Sequence, residues 1–128
     1  MICLSLPFPP TVNHMFGQAG TRKYLKKSGH EFRKSVSESV AELGISLGDI
    51  RLAVFVSLFA PTRRAYDIDN RIKSLLDALQ HAGLFEDDEQ VDVLWVMRKQ
   101  VVKGGLCKVV VVEADKAIET YSTLRGGV

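Results

Sequence analysis

No apolar run in the sequence approaches the roughly 18–20 residues that a membrane-spanning helix needs. There are only two cysteines, Cys3 and Cys107, and they form neither a metal-ligand spacing nor a disulfide framework. Both lie in β-like apolar runs and read as two buried, reduced thiols. Charge of one sign is also missing: 17 basic residues against 15 acidic give +2. That excludes binding to DNA by bulk charge alone and leaves room for a local basic patch. The opening residues 1–7 lack the basic segment and long apolar stretch of a secretory signal, so the expected location is cytoplasmic. Internal repeats, low-complexity segments, P-loops and G-x-S-x-G elbows are absent. His14, His30 and His81 show no zinc spacing and read as structural.

What is present is an ordinary globular balance, 46% hydrophobic and 25% charged over 128 residues, which suits a single domain over residues 1–128 with one core. Residues 1–6 read as a strand stopped by Pro7, Pro9 and Pro10. Residues 11–27 show no period and read as a long loop. The Ser28-Gly29-His30-Glu31 spacing is that of a capping box, followed by Phe32, Val36, Val40 and Leu43 on one helical stripe and Gly44 as the stop. Residues 52–59 are almost wholly apolar and read as a central strand buried on both faces. A second helix is expected over residues 67–83, with Ile68, Ile72, Leu75, Leu76 and Leu79 facing the core. Val91, Val93, Trp95 and Met97 alternate as a half-buried strand, and Lys103-Gly104-Gly105 predicts a turn that pairs it in a hairpin with residues 106–112. Residues 114–121 read as a short helix and 125–128 as a frayed tail. The order is β-α-β-α-β-β plus a short C-terminal helix: α+β, a mixed sheet with two main helices.

The chemistry concentrates in Asp67-Ile68-Asp69-Asn70 and Lys73. Two carboxylates straddle the start of a helix, where the dipole stabilises negative charge. One N-cap would account for Asp67, but not for three polar acceptors in a row. Lys73 is one turn after Asp69 and Asp77 one turn further, which fits either a surface ion pair or an ammonium beside a bound phosphate. Asp87 and Asp88 add carboxylates in the loop that follows. Such a run is commonly a solvated turn, yet crowded carboxylates repel unless a cation offsets them. Oxygen donors of this kind suit Mg²⁺, with Mn²⁺ as a substitute. A helix over residues 67–83 would be roughly 25 Å long, so Asp88 reaches Asp67 only if the loop folds back along the helix or a partner chain supplies it. Fold-back is the expectation. Arg22, Lys23, Lys26 and Lys27, and Arg63 and Arg64 just before the carboxylates, are candidate phosphate contacts.

The D-x-D-N motif, Lys73, Asp77-Ala78-Leu79, Ala82-Gly83 and Asp87-Asp88-Glu89-Gln90-Val91 resemble the RusA family of Holliday-junction resolvases. Residues 7–13, Pro-Phe-Pro-Pro-Thr-Val-Asn, are similar to that family's opening segment, and Lys103-Gly104-Gly105 to its hairpin turn. The resemblance implies a homodimeric, Mg²⁺-dependent endonuclease of a bacterium, phage or prophage that resolves four-way junction DNA by paired symmetric nicks in recombination and repair. It puts catalytic and metal-binding carboxylates at Asp67, Asp69 and Asp88, the essential lysine at Lys73, and auxiliary positions at Asp87 and Asn70. The alternatives are a non-catalytic branched-DNA-binding module and a nuclease acting on flaps or other branches. Ala65 and Tyr66 stand where the family often carries a denser basic run.

Overall fold

The computed structural model describes residues 1–125. Strand β4 (Leu52–Phe59) is buried along its whole length, as its continuous apolar run demands. It occupies the middle of a four-stranded sheet in the order β1-β6-β4-β5, with β1 Ile2–Leu6, β5 Val91–Arg98 and β6 Leu106–Glu113. β5 runs parallel to β4, whereas β6 is antiparallel to both β4 and β1.

The expected hairpin of residues 91–98 with residues 106–112 is therefore not formed. A strand buried on both faces lies inside the sheet with both hydrogen-bonding edges paired, and β5 and β6 take opposite edges of β4. The connection follows the end of β4 across, with the Lys99 N–H on the Leu58 carbonyl (2.8 Å) and the Val102 N–H on the Ala60 carbonyl (3.0 Å). The Lys-Gly-Gly turn is real but serves this crossing. Gly105, at φ +77°, lies where a Cβ would come within 2.8 Å of the Phe8 Cβ.

Helices α2 (Lys27–Leu43) and α3 (Ile72–His81) bury Phe32, Val36 and Val40, and Ile72, Leu75, Leu76 and Leu79, in the main core. Inward residues of the sheet, among them Leu4, Leu6, Val54, Val56, Leu58, Val109 and Val111, complete it. The other sheet face carries a smaller cluster around Phe55, Val110 and Val112. It is covered by α4 (Ala117–Leu124), whose Tyr121 stacks on Trp95 at 4.0 Å between centroids. A short 3₁₀ turn, Ala114–Lys116, leads into α4. Arg125 still donates its N–H to the Tyr121 carbonyl (3.0 Å), and the rest of the expected frayed tail lies outside the described residues. Among the described residues no helix is long and apolar enough to cross a membrane.

Three further expectations are corrected. Residues 11–27 are not a structureless loop but a short helix α1 (Val12–Met15) and a two-stranded hairpin, β2 (Phe16–Ala19) with β3 (Arg22–Leu25). Elements of four residues are too short to display a period. The capping box at Ser28 is also absent. Helix α2 begins at Lys27 without a side-chain cap, and the Ser28 hydroxyl donates to the His14 carbonyl (2.7 Å). Gly29 permits this close approach, since a Cβ there would lie 2.8 Å from the Met15 carbonyl oxygen. Finally, only Cys107 is buried, and desolvation pushes its thiol up to about 12, whereas Cys3 is exposed on the edge strand β1.

Candidate active site

The region between β4 and α3 is not one helix from Asp67. Asp67 and Ile68 precede a 3₁₀ turn, Asp69–Arg71, and α3 starts only at Ile72. Asp67 is consequently not a helix cap; its Oδ2 stands 3.5 Å from the Asn70 Nδ2. Asp69, Asn70 and Lys73 form one wall of a cleft of about 540 Å³, and residues 11–14 form the other. Asp67 lines an adjoining cleft of about 380 Å³ with Thr11, Tyr66, Asn70 and Arg71. Thr11 and Asn70 border both, so the two carboxylates line neighbouring concavities.

Asp88 is carried to this region by the loop after α3. Gln90, buried, fastens that loop: its Oε1 accepts the Glu86 and Asp87 N–H groups (2.8 Å each), and its Nε2 donates to the Gly48 and Ile50 carbonyls (2.8 and 2.9 Å). Asp87 caps a second 3₁₀ turn, Asp88–Gln90, by accepting the Glu89 N–H (2.9 Å). The Asp88 N–H then reaches back to the Gln80 Oε1 at 3.0 Å. The chain has folded back along α3, and the Asp88 carboxylate meets the Lys73 ammonium at 2.8 Å. Asp77 holds the same ammonium at 3.0 Å.

The acids around this turn thus divide. Glu89, with Asp92, pairs with Arg51 outside the cleft, Asp87 caps, and Asp88 turns toward Lys73. Hydrogen bonds donated to Asp88 and then to Asp77 raise Lys73 to about 12, and Lys73 in turn holds the Asp88 carboxyl below its ordinary range. Among the described residues Asp67, Asp69 and Asp88 do not form a ready three-ligand group.

Several residues that build the site carry no motif in the sequence. The Arg71 Nη1 donates to the Pro9 carbonyl (2.9 Å), and its guanidinium lies 4.9 Å from the Phe8 ring centroid. Burial lowers its pKa. The Ser74 hydroxyl donates to the Pro10 carbonyl. Together they clamp the proline segment to the first turns of α3, which places residues 11–14 opposite Asp69. Arg98 covers the Tyr66 ring at 4.2 Å and donates to the Tyr66 carbonyl (3.0 Å), fixing the residue before Asp67. No periodicity or spacing could have revealed these pairs, because each joins segments more than 30 residues apart.

The candidate phosphate contacts stay at the surface. Arg22 and Lys23 are exposed on β3, and Lys26 and Lys27 at the start of α2, with Lys27 3.8 Å from Glu31. Arg63 and Arg64 are exposed beside the Tyr66 loop.

A surface cleft holding carboxylates and an ammonium, bordered by exposed cations, suits an enzyme that cleaves nucleic-acid phosphodiesters. The sequence model described as endodeoxyribonuclease RusA matches residues 7–113, and the chain belongs to this family of DNA endonucleases. Similar proteins include a crossover junction endodeoxyribonuclease of Enterobacteria phage HK97, 36% identical over 111 residues that cover 86% of this chain and 92% of that one. Others named crossover junction endodeoxyribonuclease come from Enterobacteria phage 82, 32% identical, and Shigella sonnei strain Ss046, 29% identical, with the same shares of both chains covered.

Proposed function

We propose that this endonuclease resolves four-way DNA junctions by paired, symmetric nicks and depends on Mg²⁺, with Mn²⁺ able to substitute. The observation that carries the reading is the return of Asp88, fifteen residues after Lys73, to the helix turn that follows Asp69. A solvated acidic turn would have no reason to be fastened there by Gln90 and Gln80.

The donor set fits a hard divalent cation. Mg²⁺ commonly takes one or two carboxylates and completes its shell with water and phosphate oxygens. Asp67, just before the short turn, and Asp69, at its start, would supply such oxygens, and Asp88 would be the third on leaving Lys73. When bound, the ion would supply an activated water and charge neutralisation at the phosphodiester. Asn70 holds Asp67, and Asp87 holds the turn that presents Asp88, which are their auxiliary parts. Lys73, released from Asp88, places a compact positive charge where the transition state accumulates negative charge. Arg22, Lys23, Lys26, Lys27, Arg63 and Arg64 contact backbone phosphates, which supply most of the affinity.

A four-way junction has two-fold symmetry, and a C₂ homodimer offers it two equivalent sites. The test compares four-way, flap and linear duplex substrates with and without Mg²⁺, mapping every nick. Paired nicks at symmetry-related positions, only in the four-way substrate with Mg²⁺, are expected. Preferential flap cleavage, or junction binding without nicking, overturns the reading.

A further inference from the structure

We propose that His14 is a catalytic residue: the proton donor to the oxygen that leaves phosphorus when a strand is nicked. The inference rests on the nuclease reading above and assigns a step for which that reading names no residue.

Three side chains lining the cleft can carry a proton: His14 on one wall, Asp69 and Lys73 on the other. Asp69 is needed as an anion. The Lys73 ammonium keeps the Asp77 carboxylate at 3.0 Å when Asp88 is given to the metal, and it is assigned above as a fixed charge. His14 remains, and its ring is oriented from behind. Its Nδ1 lies 2.9 Å from the Thr11 Oγ1, which also accepts the His14 backbone N–H at 3.2 Å. With Nδ1 held, Nε2 is on the opposite edge of the ring and has no partner among the described residues. A group whose far nitrogen is held by a hydroxyl and whose near nitrogen is free has the geometry of an acid–base catalyst.

The support beneath it is extensive for an exposed residue on a four-residue helix, which alone would fray. Its carbonyl accepts the Ser28 hydroxyl (2.7 Å), tying it to α2. The carbonyls of Pro9 and Pro10, just ahead, accept Arg71 and Ser74, tying it to α3. The next residue, Met15, is fully buried, and its carbonyl accepts the Lys26 N–H (2.7 Å). An exposed imidazole is thereby held on rigid elements opposite the carboxylate wall.

The step balances without a further reagent. Water adds to phosphorus and the bond from phosphorus to the bridging oxygen breaks. The Nε2 proton goes to that oxygen, leaving a hydroxyl end and a phosphate monoester. The proton released by the water returns to His14 through solvent.

The test uses full-length His14→Asn and His14→Gln with four-way junctions carrying either oxygen or sulfur at the bridging positions of the cut, in separate 3′- and 5′-bridging substrates. A thiolate leaves without protonation. With oxygen, the variants should nick about 10²–10⁴ times more slowly than wild type, the usual contribution of general acid catalysis. With sulfur at the leaving position they should approach the wild-type rate, and metal-free junction binding should be unchanged throughout. Wild-type rates on the oxygen junction, a defect equally deep with both sulfur substrates, or loss of binding would overturn the assignment. Wild-type enzyme that nicks no four-way junction overturns the junction reading and the histidine with it. Normal wild-type nicking with an unrescued variant overturns the histidine alone.

Discussion

Replacing Lys73 with alanine removes one ammonium from two carboxylates. At 2.8 and 3.0 Å these contacts would be strong in a dry interior, but the lysine side chain is 60% exposed. Screening reduces each pair to about 0.2–1 kcal/mol, so losing both costs about 1 kcal/mol. In a domain of this size that lowers Tm by about 3–6 °C. Lys73 is raised from 10.5 to about 12, so its stabilisation is complete below 10.5 and is lost as pH rises through about 12. The Asp88 carboxyl is depressed, so its contribution is present above the ordinary carboxylate range and is lost as pH falls through the lowered value. Across neutral pH the stability deficit of the variant should therefore be flat. Catalysis should suffer far more: loss of one electrostatic stabiliser of the transition state costs about 10²–10³ in rate, or 2.7–4 kcal/mol. Single-turnover nicking of a four-way junction with saturating enzyme and Mg²⁺, beside thermal melts, separates the two effects. Lys73→Arg should rescue only partly, because a planar guanidinium is larger and more diffuse. Near-wild-type nicking by Lys73→Ala would refute the reasoning and reduce Lys73 to a surface ion pair.

Asp69→Asn keeps the shape and removes the charge; junction binding should persist in gel shifts while nicking is lost, and loss of both would make Asp69 structural. Gly29→Ala gains about 1 kcal/mol of helix propensity but drives a Cβ to 2.8 Å from the Met15 carbonyl. Crowding of this kind costs about 1–3 kcal/mol, so Tm should fall, and a rise would show that the α1–α2 contact yields easily. The Asp92 carboxyl is held low by Arg51, so its stabilisation is present above the ordinary carboxylate range and fades as pH falls. Asp92→Asn should therefore flatten the acid limb of the melting profile, and an unchanged limb would refute the pair.

The main elements were readable because their patterns are long. Seven apolar residues in a run of eight announced β4, and stripes at steps of three and four announced α2 and α3. The sheet order was not readable, because Lys-Gly-Gly signals a turn without saying which strand lies beyond it. The Ser-Gly-His-Glu spacing misled for a tertiary reason: Ser28 has a nearer acceptor in His14, and Gly29 is there for close packing. At the site, residue types and spacing drew attention to residues 67–70, Lys73, Asp87 and Asp88, and the family resemblance chose Asp67, Asp69, Lys73 and Asp88 among them. They could not reveal that Lys73 neutralises Asp88, since that contact exists only after the loop has folded back along α3. The Thr11–His14 contact is local, but it sits at the cap of a four-residue helix too short to show a period.

The proposed metal centre is tested most directly by the anomalous scattering of Mn²⁺ bound to crystals of the wild-type protein. The expected result is one peak at about 2.1–2.3 Å from carboxylate oxygens of Asp67 and Asp69, with Asp88 turned from Lys73 toward the ion. Mn²⁺ found only elsewhere at saturating concentration, with the Lys73–Asp88 pair intact, would contradict it.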